Sequence, residues 1–144
     1  MRAYLDTSAL LKLFIDEPGS EELVQRLLRH ASVTSRITYV EARAALARRE
    51  REAPMLRAEW ADARRRLNAD WAGFGIIEIS APLVDQAANL ADASALRAYD
   101  AMQLAACHAL QASLAAPVVF YGYGIRLNRA ARALGVQVPQ GAAL

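Results

Sequence analysis

Asp6 follows a short apolar run, Met1 to Leu5, and is itself followed by Thr7, Ser8 and a helix-like pattern at Leu10, Leu11, Leu13 and Phe14. A helix start needs one side-chain cap, and threonine or serine can supply it. The placement raises the question of why a carboxylate stands there when Thr7 or Ser8 would do. Two further acids stand at comparable places, Glu41 in "SRITYVEARAAL" and Asp100 in "LRAYDAMQLAAC", each near the start of a helical pattern. Each acid also has a purely structural reading. Asp6 can cap the helix behind it, Thr38-x-x-Glu41 matches a capping box, and Asp100 suits the positive end of a helix dipole. Such placements gain about 0.3–1 kcal/mol, whereas two carboxylates about 4 Å apart repel by about 4 kcal/mol at an effective dielectric of 20. If the three converge, they must share protons or bind a cation. Oxygen-only donors, with no histidine or cysteine beside them, suit Mg²⁺ or Mn²⁺. Spacing alone leaves their convergence open.

Other chemistries find little support. Cys107 is the only cysteine, which excludes an intrachain disulfide and a multi-cysteine zinc site. His30 and His108 have no serine or cysteine paired to them by motif, so a nucleophilic hydrolase is disfavoured. No Gly-x-x-x-x-Gly-Lys loop is present. An aspartyl-phosphate enzyme using Asp6 would want a second acid two residues on, where Ser8 stands.

The elements that must hold these residues alternate. Strand-like runs are "AYL" (3–5), "SVT" (32–34), "IIEI" (76–79), "PVVFY" (117–121) and "VQV" (136–138). Helical patterns cover Glu21 to His30 behind a capping Ser20, Tyr39 to Glu52, Met55 to Phe74, Pro82 to Ala95, Ala98 to Leu114 and Ile125 to Leu134, the last closed by Gly135. In the 55–74 segment Leu56, Trp60, Ala63, Leu67, Trp71 and Phe74 form one apolar stripe, read as core rather than dimer surface. This alternation predicts an α/β three-layer sandwich with a central parallel sheet flanked by helices. Ligands of such sheets sit beyond the carboxyl ends of the strands, and Asp6 lies at such an end. The 144 residues, 55% hydrophobic and 22% charged, suit a single domain spanning 1–144. No apolar run approaches a membrane span and no secretory leader is seen, so a cytoplasmic location is expected.

"YLDTSALLKLF", "TYVEARAAL", "LRAYDAMQLAAC" and "VVFYGYGIRLNRAARALGV", taken in order, resemble PIN domains. They are most similar to the VapC-type ribonuclease toxins of bacterial toxin–antitoxin pairs. The resemblance implies strand order 3-2-1-4-5, Asp6, Glu41 and Asp100 as the catalytic acids, and Mg²⁺ or Mn²⁺ held by Asp6 and Asp100. It implies a supporting role for Ser8, and an Asp6 freed for metal while Thr7 and Ser8 cap the helix. It further implies cleavage of structured RNA (tRNA or rRNA) by metal-activated water, homodimers, and silencing by a VapB-type antitoxin. Where the family usually carries a fourth acid this chain has Gly124, with Asn128 one turn on as a neutral oxygen that could support bound water. That departure motivates an alternative, a weak or inactive domain that binds RNA or a partner without cutting.

The net charge is only +2, but arginine is concentrated between Arg43 and Arg66. Arg43, Arg48, Arg49, Arg64, Arg65 and Arg66 are the candidates for RNA-backbone contact, set against a plain reading as solvated helix faces.

Overall fold

The computed structural model describes residues 1–139. Strand β1 (Arg2–Leu5) leads into helix α1 (Thr7–Lys12), and α2 (Ser20–Leu27) returns the chain to β2 (Ala31–Ser35). Helices α3 (Arg36–Glu52) and α4 (Arg57–Asp70) follow, then β3 (Gly75–Ile77), α5 (Ala81–Ser94), α6 (Ala98–Leu114), β4 (Val118–Tyr121) and α7 (Ile125–Ala133). The strands are parallel in the order β3-β2-β1-β4, with β1 at the centre paired Arg2 to Ala31 on one side and Arg2 to Val118 on the other.

Side-chain alternation along the strands sorts the interior into two layers. Ala3 and Leu5 of β1, with Val119 and Tyr121 of β4, pack under α1, α3 and α4 beside Leu10, Leu46, Trp60 and Leu67. Tyr4, Val118 and Phe120 face the other way, against Leu83 of α5, Leu104 and Leu110 of α6 and Leu127 of α7. Every residue of β4 is buried, as expected of a strand covered on both faces. Burying one such leucine contributes about 1.5–3 kcal/mol. The layering is the predicted α/β sandwich.

Several elements differ in detail. The fifth strand expected at 136–138 is reduced to one parallel bridge, Gln137 with Val119, anchored by the Phe120 amide donating to the Gln137 carbonyl at 2.9 Å. Gly135 in the left-handed region (φ 77°) and Pro139, which has no amide proton, leave only three residues between them for pairing. The expected order therefore holds over four strands, with a bridge in the fifth position. The helix expected from Met55 to Phe74 is continuous only over α4, with single 3₁₀ turns at Pro54–Leu56 and Trp71–Gly73. Its stripe nevertheless faces the core, since Trp60, Ala63 and Leu67 are buried.

Two caps also differ. Helix α3 begins at Arg36, with Ser35 accepting from the Ile37 amide at 3.3 Å, so Thr38 lies inside the first turn and forms no capping box with Glu41. At α2 the cap position is Gly19 (φ 92°), and the Ser20 hydroxyl instead donates to the Ile15 carbonyl at 2.9 Å. Among the described residues no helix is long and apolar enough to cross a membrane.

A carboxylate groove at the ends of the central strands

Asp6 leaves β1 and enters α1, its amide donating to the Tyr121 carbonyl at the end of β4 at 3.0 Å. It is itself the cap of α1, a correction to the expectation that Thr7 and Ser8 relieve it of that duty. Oδ1 accepts from the Ala9 amide at 2.9 Å and from the Ser8 hydroxyl at 2.7 Å. Capping uses one oxygen only. Among the described residues Oδ2 has no hydrogen-bond donor; it lies on the side of Gly122, where a Cβ would come within 2.7 Å of it. Glycine at 122 is what leaves room for that oxygen.

Asp6 is 5% exposed. Burial pushes its carboxyl up to about 6, the bonds from Ser8 and Ala9 pull it back, and the charges of Asp100 and Glu41 push it up further. The acids therefore feel one another.

Glu41 sits in the second turn of α3 and repeats the pattern. Its Oε1 accepts from the Thr7 hydroxyl at 2.8 Å and from the Gln103 amide at 2.8 Å, while Oε2 has no partner among the described residues. Asp100, in the first turn of α6, receives no hydrogen bond from any described residue and is partly buried. Burial raises its carboxyl, offset in part by the positive charges of Arg97 and Arg126. None of the three acids has an ion-pair partner within 4 Å among the described residues. Each thus keeps at least one carboxylate oxygen for something other than the protein.

All three line one open groove of about 1000 Å³, together with Thr7, Ser8, Gln103, Arg97 and Arg126. Ser8 bridges the two halves of the site, donating to Asp6 and accepting from the Tyr123 amide at 3.1 Å. Asn128 lies outside the groove lining and is fully buried. It donates to the Gly122 carbonyl at 2.8 Å, and its Oδ1 has no partner among the described residues. It therefore fixes the backbone beside Asp6 rather than offering an oxygen to the groove. Gly124 lines the groove and takes the cap position of α7 with no side chain to cap it.

The arginines divide. Arg48 and Arg49 line the groove, Arg49 sharing Glu17 with Lys12. Arg43 instead donates to the Tyr39 hydroxyl and Asn68, Arg64 pairs with Glu50, and Arg65 and Arg66 pair with Asp62. A single acid, Asp62, captures the last two from three and four residues back along α4, so charge density in sequence overstated their freedom. Sequence reading missed Arg51, Arg97 and Arg126, which line the groove with no ion pair among the described residues, and Gln103. Arg97 and Arg126 flank motif residues, and that adjacency was their one available signal.

Among the described residues no three acids, histidines or cysteines close on a point that could hold a metal ion by themselves. That does not disqualify a hard cation. Mg²⁺ keeps several waters and is held by one or two carboxylates rather than by an all-protein cage. Unpaired oxygens on Asp6 and Asp100, without nitrogen or sulfur donors, fit that requirement.

Residues 3–119 match the PIN domain family. The chain belongs to that family. Among its PIN relatives are two from Mycobacterium tuberculosis, Ribonuclease VapC45 of strain CDC 1551 / Oshkosh and Ribonuclease VapC49 of strain H37Rv. Each is 39% identical over 109 residues, 74% of this chain and 75% of the relative. The chain is a PIN protein of the VapC type. Solved PIN-like folds superpose over most of it. PAE2754 from Pyrobaculum aerophilum has TM-score 0.64 and 22% identity over 96% of this chain and 83% of that one. The structure of FitAB bound to an IR36 DNA fragment gives TM-score 0.60 and 17% identity over 99% and 96%. A toxin–antitoxin complex from Klebsiella pneumoniae gives 0.57 and 18% over 83% and 86%. These last three likenesses concern the fold.

Proposed function

We propose that this PIN protein is a metal-dependent endoribonuclease and the toxin of a type II toxin–antitoxin pair. The observation that carries the reading is the oxygen on each of Asp6, Glu41 and Asp100 that has no partner among the described residues, inside one arginine-flanked groove. Relatives named as ribonucleases at 39% identity support it.

Asp6 and Asp100 would hold Mg²⁺ or Mn²⁺, which when bound supplies charge neutralisation at the scissile phosphate and a lowered pKa for an attacking water. Glu41, with Oε1 held by two donors, keeps Oε2 to accept a proton from that water. Ser8 holds Asp6 in the orientation that presents Oδ2. Arg97 and Arg126, which line the same groove as Arg48 and Arg49, bind the phosphates flanking the cut and leave sequence to be read by the shape of the RNA. The groove is also the place for an inhibitory VapB-type antitoxin segment, and a second copy of the chain is the expected partner in a homodimer. Light scattering of the toxin alone and with its antitoxin measures both.

Gly124 favours one competing reading, a PIN domain that retains RNA without cutting it. Incubating end-labelled tRNA and rRNA with antitoxin-free protein decides between them, run with Mg²⁺, with Mn²⁺ and with chelator, beside Asp100→Asn. Metal-dependent discrete products, absent from the variant, are expected. RNA bound but intact under both metals would replace nuclease with binder.

A further inference from the structure

We propose that Gln103 is a positioning residue for Glu41: its side-chain amide, oriented by the Tyr4 hydroxyl, holds one carboxylate oxygen of Glu41 so that the other faces the groove. The inference rests on the functional reading above and deepens it.

Gln103 lies on α6, one turn beyond Asp100, and is 2% exposed. Leucine at this position would pack the same layer without burying an amide, so core stability alone does not call for glutamine. The polar atoms here are instead all used. The Tyr4 hydroxyl donates to Oε1 at 2.6 Å. Nε2 lies 2.8 Å from Glu41 Oε1, 2.9 Å from Thr38 Oγ1 and 3.2 Å from Thr7 Oγ1.

The protons can be followed one by one. The two amide protons serve the two nearer acceptors, Glu41 and Thr38. Thr7 spends its own proton on Glu41 Oε1 at 2.8 Å. Thr34 donates to the Leu5 carbonyl at 2.7 Å, so the 2.8 Å contact between the Thr34 and Thr38 hydroxyls draws on the proton of Thr38. Every hydroxyl and amide proton in the network has one destination, and Glu41 is where two of them end.

Direction is what makes the arrangement specific. An ionised carboxylate only accepts, so the amide nitrogen must face Glu41. Rotating the amide by half a turn would set its oxygen against the carboxylate and its nitrogen against Tyr4. The rotated state would also leave the buried Tyr4 hydroxyl without the acceptor that now takes its proton, so both neighbours favour the observed orientation. Tyr4 is fixed in turn, fully buried on β1 with its ring stacked on Phe120 at 5.9 Å. One side chain thereby ties β1, α1, α3 and α6 to the orientation of one acid.

The test compares wild type, Gln103→Met, Tyr4→Phe, the double variant and Glu41→Gln in two assays, Mn²⁺ calorimetry and steady-state RNA cleavage. Gln103→Met is expected to lower kcat by about 10-fold and to weaken Mn²⁺ binding in the same sense but by less, because Glu41 acts on the water the ion keeps while Asp6 and Asp100 hold the ion itself. KM for RNA should stay within about twofold of wild type, because the amide touches no RNA. Tyr4→Phe should lose about threefold in the same direction, and the double variant should be no worse than Gln103→Met alone. Wild-type Mn²⁺ affinity and kcat in Gln103→Met, with only a lower melting temperature, would make the residue merely structural and overturn the proposal. If that variant does not fold, Tyr4→Phe carries the decision on the same two readouts. Glu41→Gln separates the levels. Should it be as active as wild type, the site reading falls and this inference with it. Should it be dead while Gln103→Met is unaffected, only the positioning role is overturned.

Discussion

Replacing Asp6 by asparagine should stabilise the protein near neutral pH while removing its activity. The carboxyl is raised from an ordinary value of 3.8 to about 6, first by burial and then by the neighbouring acids. The folded state therefore takes up this proton more readily than the unfolded chain. The sign follows: the contribution of Asp6 to stability is intact below about pH 4, declines as pH rises through the window from 3.8 to about 6, and stays low above it. A shift of roughly 2 units at about 1.4 kcal/mol each gives about 3 kcal/mol as the full loss. Asparagine has no charge to desolvate, is as good a cap as aspartate, and its Oδ1 can keep the bonds from Ala9 and Ser8.

Urea unfolding of both proteins in chelator, from pH 4 to pH 8, reads the difference directly. Asp6→Asn should match wild type near pH 4 and exceed it by up to about 3 kcal/mol at pH 8, on the order of 5–10 °C in Tm. Bound Mn²⁺ should narrow the gap by stabilising wild type alone. A stability difference independent of pH, or a variant less stable than wild type at pH 8, would refute the reasoning that burial and like charge strain this acid.

Three further outcomes follow from the same geometry. Gly122→Ala should cost about 1–3 kcal/mol in urea unfolding and weaken Mn²⁺ binding, because its Cβ meets Asp6 Oδ2 at 2.7 Å and Phe120 Cε1 at 2.7 Å; unchanged stability would show that the strand end gives way easily. Gly124→Asp meets nothing nearer than Leu127 Cβ at 3.9 Å and sits at an uncapped helix start with φ −89°. It should raise metal-free stability by about 0.5 kcal/mol and strengthen Mn²⁺ binding by calorimetry, and unchanged Mn²⁺ affinity would show that a carboxylate there does not reach the site. Arg97→Gln should flatten the dependence of log RNA affinity on log salt by about 0.7–0.9 of a unit, whereas Arg65→Gln, whose guanidinium is paired with Asp62, should leave that slope unchanged; equal slopes for the two would remove Arg97 from the interface.

Much of this architecture is legible from local pattern. The all-buried run at 118–121, the alternation of strands with helices and the glycine ending the last helix each follow from burial or backbone freedom over a few residues, and each is where the sequence reading put it. The acids stand out in the sequence because Asp6 and Asp100 lie at helix starts and Glu41 close to one, whereas their lining of one groove is a contact of distant segments. What could not be read depends on contacts between distant segments. Tyr4 and Gln103 are 99 positions apart and meet only because β1 passes beneath α6. Nothing in "DAMQLAA" distinguishes a glutamine aimed at Glu41 from one aimed at solvent. The pairing of the arginine cluster was legible only in part: Asp62 takes Arg65 and Arg66 three and four residues along α4, whereas Arg64 meets Glu50 and Arg43 meets Asn68 only because α3 lies on α4. Asp6 caps with one oxygen while the other meets no donor among the described residues, a division between two oxygens that one letter of sequence does not show.

The central claim is that Asp6 and Asp100 keep oxygens free for a divalent cation, and anomalous scattering from crystals soaked in Mn²⁺ tests it most directly. A peak is expected in the groove within coordination distance, about 2.0–2.5 Å, of Asp6 Oδ2 and of an Asp100 oxygen, lost in crystals of Asp6→Asn. A groove without a peak at millimolar Mn²⁺, or one whose peak survives that substitution unchanged, would contradict it.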